Sequence, residues 1–320
     1  MKQLQILVLS VALVFASSAF GQTLPATIRV LIPFPAGGPV DTIGRIVADG
    51  LRTQLKRAVI ADNRPGANGA VGVNVLKQSA PDGGTLLVVS SGMITFSPHF
   101  EKNLSYDPSR DLDPIASVAT MDIGLIAANN VPASNVREFI ALAKSSSKPL
   151  AMASAGTGNI THAYIELLKD SAKVNFLHVP YKGASPALVD VMAGRVAGMF
   201  IGLSTALPAA KAGKVKILAV GGNRRSALAP KIQTLTEQGF PGIEILPWFG
   251  VMGPPGMSPE TKSELAAALE RALSTDKVKA RLLSVGATPS PLSGPKFLHM
   301  IQTESDTWRK LIAEKKMRPE

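Results

Sequence analysis

Alternation is the feature that most restricts what this chain can fold into. Short runs rich in Val, Ile and Leu alternate with longer segments whose apolar residues recur at helical spacing. Gly- or Pro-bearing loops follow several of the short runs. Residues 28–33 read as a strand, and residues 40–56 then place Val40, Ile43, Ile46, Val47, Leu51 and Leu55 at helical spacing. A second strand at 58–60, a turn at 64–69, a short helix at 70–78 and a strand at 85–89 follow. The pattern then restarts, with strands at 125–128, 150–153, 174–178, 196–201 and 215–220 separated by helices at 135–144, 161–169, 185–192 and 205–212. Strands separated by helices predict βαβ units and a mainly parallel sheet. Asn135 and Glu138 stand in capping-box positions for one helix. The last third carries a strand at 249–252, then a helix at 259–273 capped by Ser258 with Pro259 in its first turn. Helices at 277–285 and 296–315 complete the chain.

The two α/β units need not be contiguous in sequence. Leu125-Ile126-Ala127-Ala128 and Phe249-Gly250-Val251-Met252 form a matched pair, each an apolar run ending in a Pro-bearing turn that leads to an amphipathic helix. Such a pair suits two crossover strands joining two lobes. One lobe is expected to comprise residues 23–124 plus 222–320, and the other residues 125–221.

Residues 1–21 read as a cleavable signal peptide. Lys2 is followed by a nearly unbroken apolar run from 4 to 16, then by small residues that place cleavage after Ala19 or Gly21. The run is shorter than the ~20 residues that span a bilayer. The expected location is therefore outside the cytoplasm, in the periplasm of a Gram-negative cell. The absence of Cys removes disulfides, thiolate catalysis and a lipid anchor on cysteine. A net charge of +11 suits attraction of anions. The basic residues are scattered and carry no zinc-finger, helix-turn-helix or RNA-binding signature, so nucleic acid is not an expected partner.

Three loops at strand ends are candidates for chemistry: residues 33–41 (PFPAGGPVD), 154–162 (SAGTGNITH) and 179–185 (VPYKGAS). In open α/β sheets, ligands bind beyond the carboxyl ends of strands. Helix N-termini there present free N–H groups and the positive end of a dipole, which suits a carboxylate without a buried cation. Asp41 and Thr161 also read as helix N-caps. The GxGxxT run at 156–161 fails the dinucleotide fingerprint at its third glycine. The four histidines (His99, His162, His178, His299) lack metal-ligand spacing, and no nucleophile-elbow, HExxH or phosphate-loop motif occurs. No metal, cofactor or catalytic residue is expected.

These loops carry a resemblance. The segments 33–41, 63–69 (NRPGANG), 80–87 (APDGGTLL) and 178–187 (HVPYKGASPA), in this order and spacing, resemble the periplasmic solute receptors of tripartite tricarboxylate transporters, the Bug family. The resemblance implies an α/β, type II periplasmic-binding-protein fold: two Rossmann-like lobes joined by two crossover strands, with a hinged cleft between them. It implies that loops matching Phe34, Ala36, Gly37 and Gly38, and Ser154, Gly156 and Thr157, hold a ligand carboxylate. Asp41, Ser91, His162 and Tyr181 fall at or near the family's pocket positions, and Ser204 joins them in the expected ligand-binding set.

The expected function is that of a receptor that captures a small carboxylated molecule and presents it to membrane permease subunits, as a monomer. The family takes dicarboxylates, tricarboxylates, aromatic acids, amino acids and neutral vitamins, so the resemblance does not name the ligand. Two alternatives are a ligand-sensing module docking on a sensor kinase, and a secreted enzyme using Asp41 and His162 as an acid–base pair.

Overall fold

The computed structural model describes residues 24–315 and 317; the expected signal peptide lies outside them. The elements fall into two sheets. The first has strand order β11-β4-β10-β3-β1-β2, with β1 (Thr27–Ile32), β2 (Ala58–Asn63), β3 (Thr85–Ser90), β4 (Asp113–Met121), β10 (Trp248–Gly253) and β11 (Ala287–Pro289). The second runs β7-β6-β8-β5-β9, with β5 (Ile123–Ala128), β6 (Leu150–Ser154), β7 (Phe176–Pro180), β8 (Gly198–Gly202) and β9 (Val215–Val220). β1 pairs parallel with β2 and β3, and β6 with β7 and β8. In the first sheet β10 is antiparallel to β3 and β4, and the short β11 to β4; in the second, β5 is antiparallel to β8 and β9. The matched pair legible in the sequence therefore supplies an antiparallel strand to each sheet.

Helices cover both sheets. α1 (Pro39–Leu55) and α2 (Ala70–Leu76) belong to the first lobe, and α3 (Val136–Ser145), α4 (Ile160–Ala172), α5 (Ala184–Met192) and α6 (Leu203–Lys211) to the second. α7 (Pro259–Ser274), α8 (Asp276–Ser284) and α9 (Gly294–Glu314) close the chain. α1 buries Ile43, Ile46, Val47 and Leu51 against the first sheet, as its spacing dictates. It lies so close that a Cβ on Gly44 would come 2.7 Å from Ile32 Cγ1. The capping expectations hold at two helices: Asn135 accepts from Glu138 N, and Ser258 from Thr261 N.

Two hydrophobic cores fill the lobes. Leu31, Val88, Leu269 and Phe297 lie in the first; Phe139, Tyr164, Phe200 and Trp308 lie in the second. The lobe boundaries differ from the sequence expectation. β5 starts at Ile123, and Leu235 and Ile243, from the segment 222–247, pack in the second core. α9 serves both cores, burying Phe297 near its start in one and Trp308 near its end in the other. An extended chain must return from β9 to β10, and it covers the second lobe on the way.

β4 has no counterpart in the sequence reading. Its run DPIASVATM is interrupted by Ser117 and Thr120, which breaks the apolar signature. Ser117 is nevertheless buried, because its hydroxyl donates to Ser290 O at 2.5 Å and accepts from Leu292 N at 2.8 Å. With only Asp122 between them, β4 and β5 form the outward crossover.

Candidate functional site

A cavity lies between the lobes, bounded by the loops that follow β1, β3, β6, β7 and β8. Its floor and walls include Phe34, Met121, Ile123, Ile160, Ile201 and Phe249. The lobes approach closely around it: a Cβ on Gly183 would lie 3.3 Å from Pro35 Cδ, and Asn159 Nδ2 donates to Asn68 Oδ1 at 3.3 Å.

Two helix N-termini, one from each lobe, open onto this cavity. α1 begins after Gly38, an N-cap that supplies no side-chain acceptor, with the N–H-less Pro39 at its first position. α5 begins after Gly183, again without a side-chain cap. At φ 118° and ψ 168°, Gly183 occupies a backbone region that glycine alone tolerates. The N–H groups of Val40, Ala184 and Ser185 find no acceptor among the described residues. First-turn amides of a helix lack intrahelical partners, so they are available to an anion.

At each of the other two helix starts at the cavity, one first-turn amide is already engaged. At α4, Asn159 Oδ1 accepts Thr161 N at 3.0 Å, and Thr161 Oγ1 accepts Ala155 N at 2.9 Å. At α6, Leu203 N donates to Asp122 O at 2.8 Å. Ser90, at the end of β3, adds a hydroxyl. It is 4 % exposed and lines the cavity, and its Oγ has no hydrogen-bond partner among the described residues.

Of the residues singled out in the sequence, Phe34 and Gly38 line this cavity. Gly156, Thr157 and Tyr181 line an adjoining opening between the lobes, together with Phe34, Asn68 and Glu101. Ala36 and Gly37 are exposed and lie outside both. Gly37 N–H is also spent, donating to Asp41 Oδ2 at 3.0 Å. Asp41 is the third residue of α1, so it is not the N-cap. Its carboxylate also accepts from Asn63 Nδ2 at 2.9 Å and from Arg45 Nε at 3.1 Å, so it braces the loop from behind. Thr161 is likewise inside α4, whose N-cap is Asn159.

The remaining expected residues point elsewhere. Ser91 Oγ accepts from Trp248 N at 3.4 Å. Ser154 Oγ meets His178 Nε2 at 2.6 Å, and Ser204 Oγ donates to Val285 O. Tyr181 turns its hydroxyl to Asp190 Oδ2 at 2.6 Å. Burial, and then this bond, pushes the Tyr181 phenol up to about 12. His162 is fully buried and lines neither opening.

A family model described as tripartite tricarboxylate transporter family receptor matches residues 43–317. The chain belongs to that receptor family. Protein BugT of Bordetella pertussis is 30% identical over 303 residues, covering 93% of this chain and 92% of that one. Among solved structures, MatC from Rhodopseudomonas palustris, with bound malate, is 30% identical with a TM-score of 0.83, covering 89% of this chain and 98% of that one. The R. palustris protein Rpa4515, with adipate, is 26% identical with a TM-score of 0.89, covering 93% of this chain and 100% of that one. The two-lobed α/β fold is thus that of the family's periplasmic binding proteins, and the chain is a solute-binding receptor.

In this receptor the histidines near the glycine loop act as braces. The His162 and His178 rings stack with centroids 3.7 Å apart and planes 11° apart. His162 Nδ1 accepts Gly158 N at 3.3 Å, and its Nε2 faces Glu166 at 3.7 Å. Burial first, and then the neighbouring His162, push His178 down to about 4. The imidazole is therefore neutral at physiological pH, as a ring stacked on another ring requires. An acid–base pair of Asp41 and His162 has no footing in this geometry, since neither side chain lines the cavity.

Sequence reasoning missed Ser90, Val40, Ala184 and Ser185. Ser90 pairs with Phe249 across β3 and β10, and both face the cavity. A register for β3 would have pointed to Ser90 over Ser91, because successive side chains of a strand face opposite ways.

Proposed function

We propose that this receptor captures a small carboxylated solute in the interlobe cavity and delivers it, in the closed form, to membrane permease subunits. The observation that carries the reading is the facing of two uncapped helix N-termini, α1 and α5, from opposite lobes across one cavity. Each contributes the equivalent of about half a positive charge. An anion held by both draws the lobes together, so ligand favours the closed state over an open one by its differential contacts. Malate and adipate in the related structures support the same chemical class. The protein acts as a monomer in the periplasm, after loss of residues 1–21. N-terminal sequencing of the mature protein from a periplasmic fraction tests that cleavage.

The decisive experiment is a thermal-shift screen of mono-, di- and tricarboxylates, followed by calorimetric titration. A ligand at a hundredfold excess over its Kd stabilises by about 2.7 kcal/mol through mass action. No stabilisation by any carboxylate would refute the reading. Deletion of the gene should abolish uptake of the ligand found; unchanged uptake would remove the transport role.

A further inference from the structure

We infer that Asn68 is a closure latch: its side chain ties the first lobe to the second in the closed receptor. It thereby sets affinity and dwell time without holding the solute. The inference rests on capture by lobe closure, as proposed above, and adds a residue that governs it.

Residues 66–69, in the loop after β2, all have positive φ: Gly66 141°, Ala67 44°, Asn68 48° and Gly69 95°. Glycine tolerates this region and asparagine visits it, but an alanine there is strained. Such a conformation persists only where its surroundings enforce it, and it clusters at clamps and switches. The turn is closed by Gly69 N–H donating to Gly66 O at 2.9 Å, and it brings Asn68 to the opening between the lobes.

Asn68 Nδ2 donates to Ser97 Oγ at 3.1 Å and to Glu101 Oε1 at 3.2 Å, and Asn68 Oδ1 accepts from Asn159 Nδ2 at 3.3 Å. Asn159 is the N-cap of α4 in the second lobe. Ser97 and Glu101 stand on the same side. The chain leaves the first core after Ile94 and enters the second at Phe96 and Phe100. The Phe96 and Phe100 rings meet Trp308 and His162 edge-on, with centroids 5.1 and 5.0 Å apart. Ser97 Oγ donates to Gly158 O at 2.8 Å, and a Cβ on Gly158 would collide with the Glu101 carboxylate. Among the described residues, every hydrogen bond of the Asn68 side chain therefore crosses between the lobes.

Parting the lobes breaks these bonds, so they favour the closed state alone. They also grip Asn159 directly and Gly158 through Ser97, and both residues belong to the glycine loop beside the cavity. Asn68 lines the adjoining opening, but its carboxamide is already engaged on both sides. It is a positioning residue, acting on the solute through closure.

The chain has no Cys, so Thr53→Cys on α1 and Lys144→Cys on α3, both exposed, can carry spin labels that report the interlobe distance. Asn68→Gly removes the side chain and keeps the left-handed backbone. In the ligand-free mature protein it should shift the distance distribution towards the open form. Kd for malate and for adipate should both rise by the factor by which the closed fraction falls. That factor should be about tenfold, the scale of one lost hydrogen bond to a carboxylate, and should appear mainly as faster dissociation. Ser97→Ala, at a residue lining neither opening, should move both readouts the same way. An unchanged ligand-free distribution in both variants would overturn the latch. So would unequal factors for malate and adipate, which would place Asn68 on the solute. A shifted distribution in a protein that binds no carboxylate would sink the carboxylate reading and leave the latch standing.

Discussion

Replacing Asp41 by Ala removes the brace behind the first ligand loop. Asp41 is 4 % exposed, and its carboxylate collects Gly37 N at 3.0 Å, Asn63 Nδ2 at 2.9 Å and Arg45 Nε at 3.1 Å. The two neutral donors contribute about 1 kcal/mol each. The Arg45 side chain is 49% exposed, so its ion pair adds only about 0.5 kcal/mol. Asp41→Ala should then cost roughly 2–3 kcal/mol. At about 2–4 °C per kcal/mol, the melting temperature should fall by roughly 4–12 °C. Ligand affinity should fall as well, because Gly38 and Val40 sit on the loop that Asp41 holds. If the anchored loop is the competent state, losing about 2 kcal/mol of anchoring raises Kd by up to about thirtyfold.

The pH signature follows from the carboxyl's depressed pKa. Burial alone would raise it, but the bonds from Arg45, Asn63 and Gly37 together outweigh burial and hold it below its ordinary 3.8. This contribution is complete above the unfolded value and is lost only as the pH falls through the lower folded one. The assay is calorimetric melting and titration from pH 7 downward, with Arg45→Met as the control that removes only the exposed partner. A variant Asp41→Ala with wild-type melting and affinity would refute the reasoning. So would Arg45→Met proving equally costly.

Three further outcomes are expected. Gly183→Ala forces a Cβ into a glycine-only conformation and to within 3.3 Å of Pro35; it should cost about 1–3 kcal/mol and weaken ligand binding. Gly242→Ala, at φ 99° with nothing within 4 Å, should share the strain but bind normally, so equal binding loss in both would count against interlobe contact at Gly183. His178 is lowered to about 4 by burial and then by His162, so the unfolded chain takes up its proton first as pH falls below 6.5. Between pH 6.5 and 4 the protein should lose stability by up to roughly 3 kcal/mol from this group, and His178→Asn should flatten that slope in melting curves. Tyr181→Phe should leave ligand affinity unchanged, since the hydroxyl is engaged by Asp190; a marked rise in Kd would place that hydroxyl on the ligand instead.

Periodicity carried most of the element map. Val40, Ile43, Ile46, Val47 and Leu51 announce α1 through their spacing, and the apolar runs of β1, β3, β6 and β8 stand out between turns. Even the return across the lobes was legible as the matched runs around 125–128 and 249–252. β4 was not, because Ser117 is tolerated inside a sheet only through partners at 290 and 292, far along the chain. The boundary at 222 failed for a similar reason: Leu235 and Ile243 look like loop residues until the second core is there to receive them.

The sequence by itself determined that glycine loops and helix starts would gather at strand ends, since spacing, capping and turn chemistry are local. Only the tertiary structure decided which amides stay free. Gly37 N–H looks as available as Val40 N–H in the sequence, yet Asp41 Oδ2 occupies the former. Ser90 and Ser91 are adjacent hydroxyls, yet Ser91 Oγ receives Trp248 N and Ser90 Oγ is left for the cavity. A hydrogen-bond donor is spent or free according to what the rest of the chain brings within about 3 Å of it, and no local pattern records that distance.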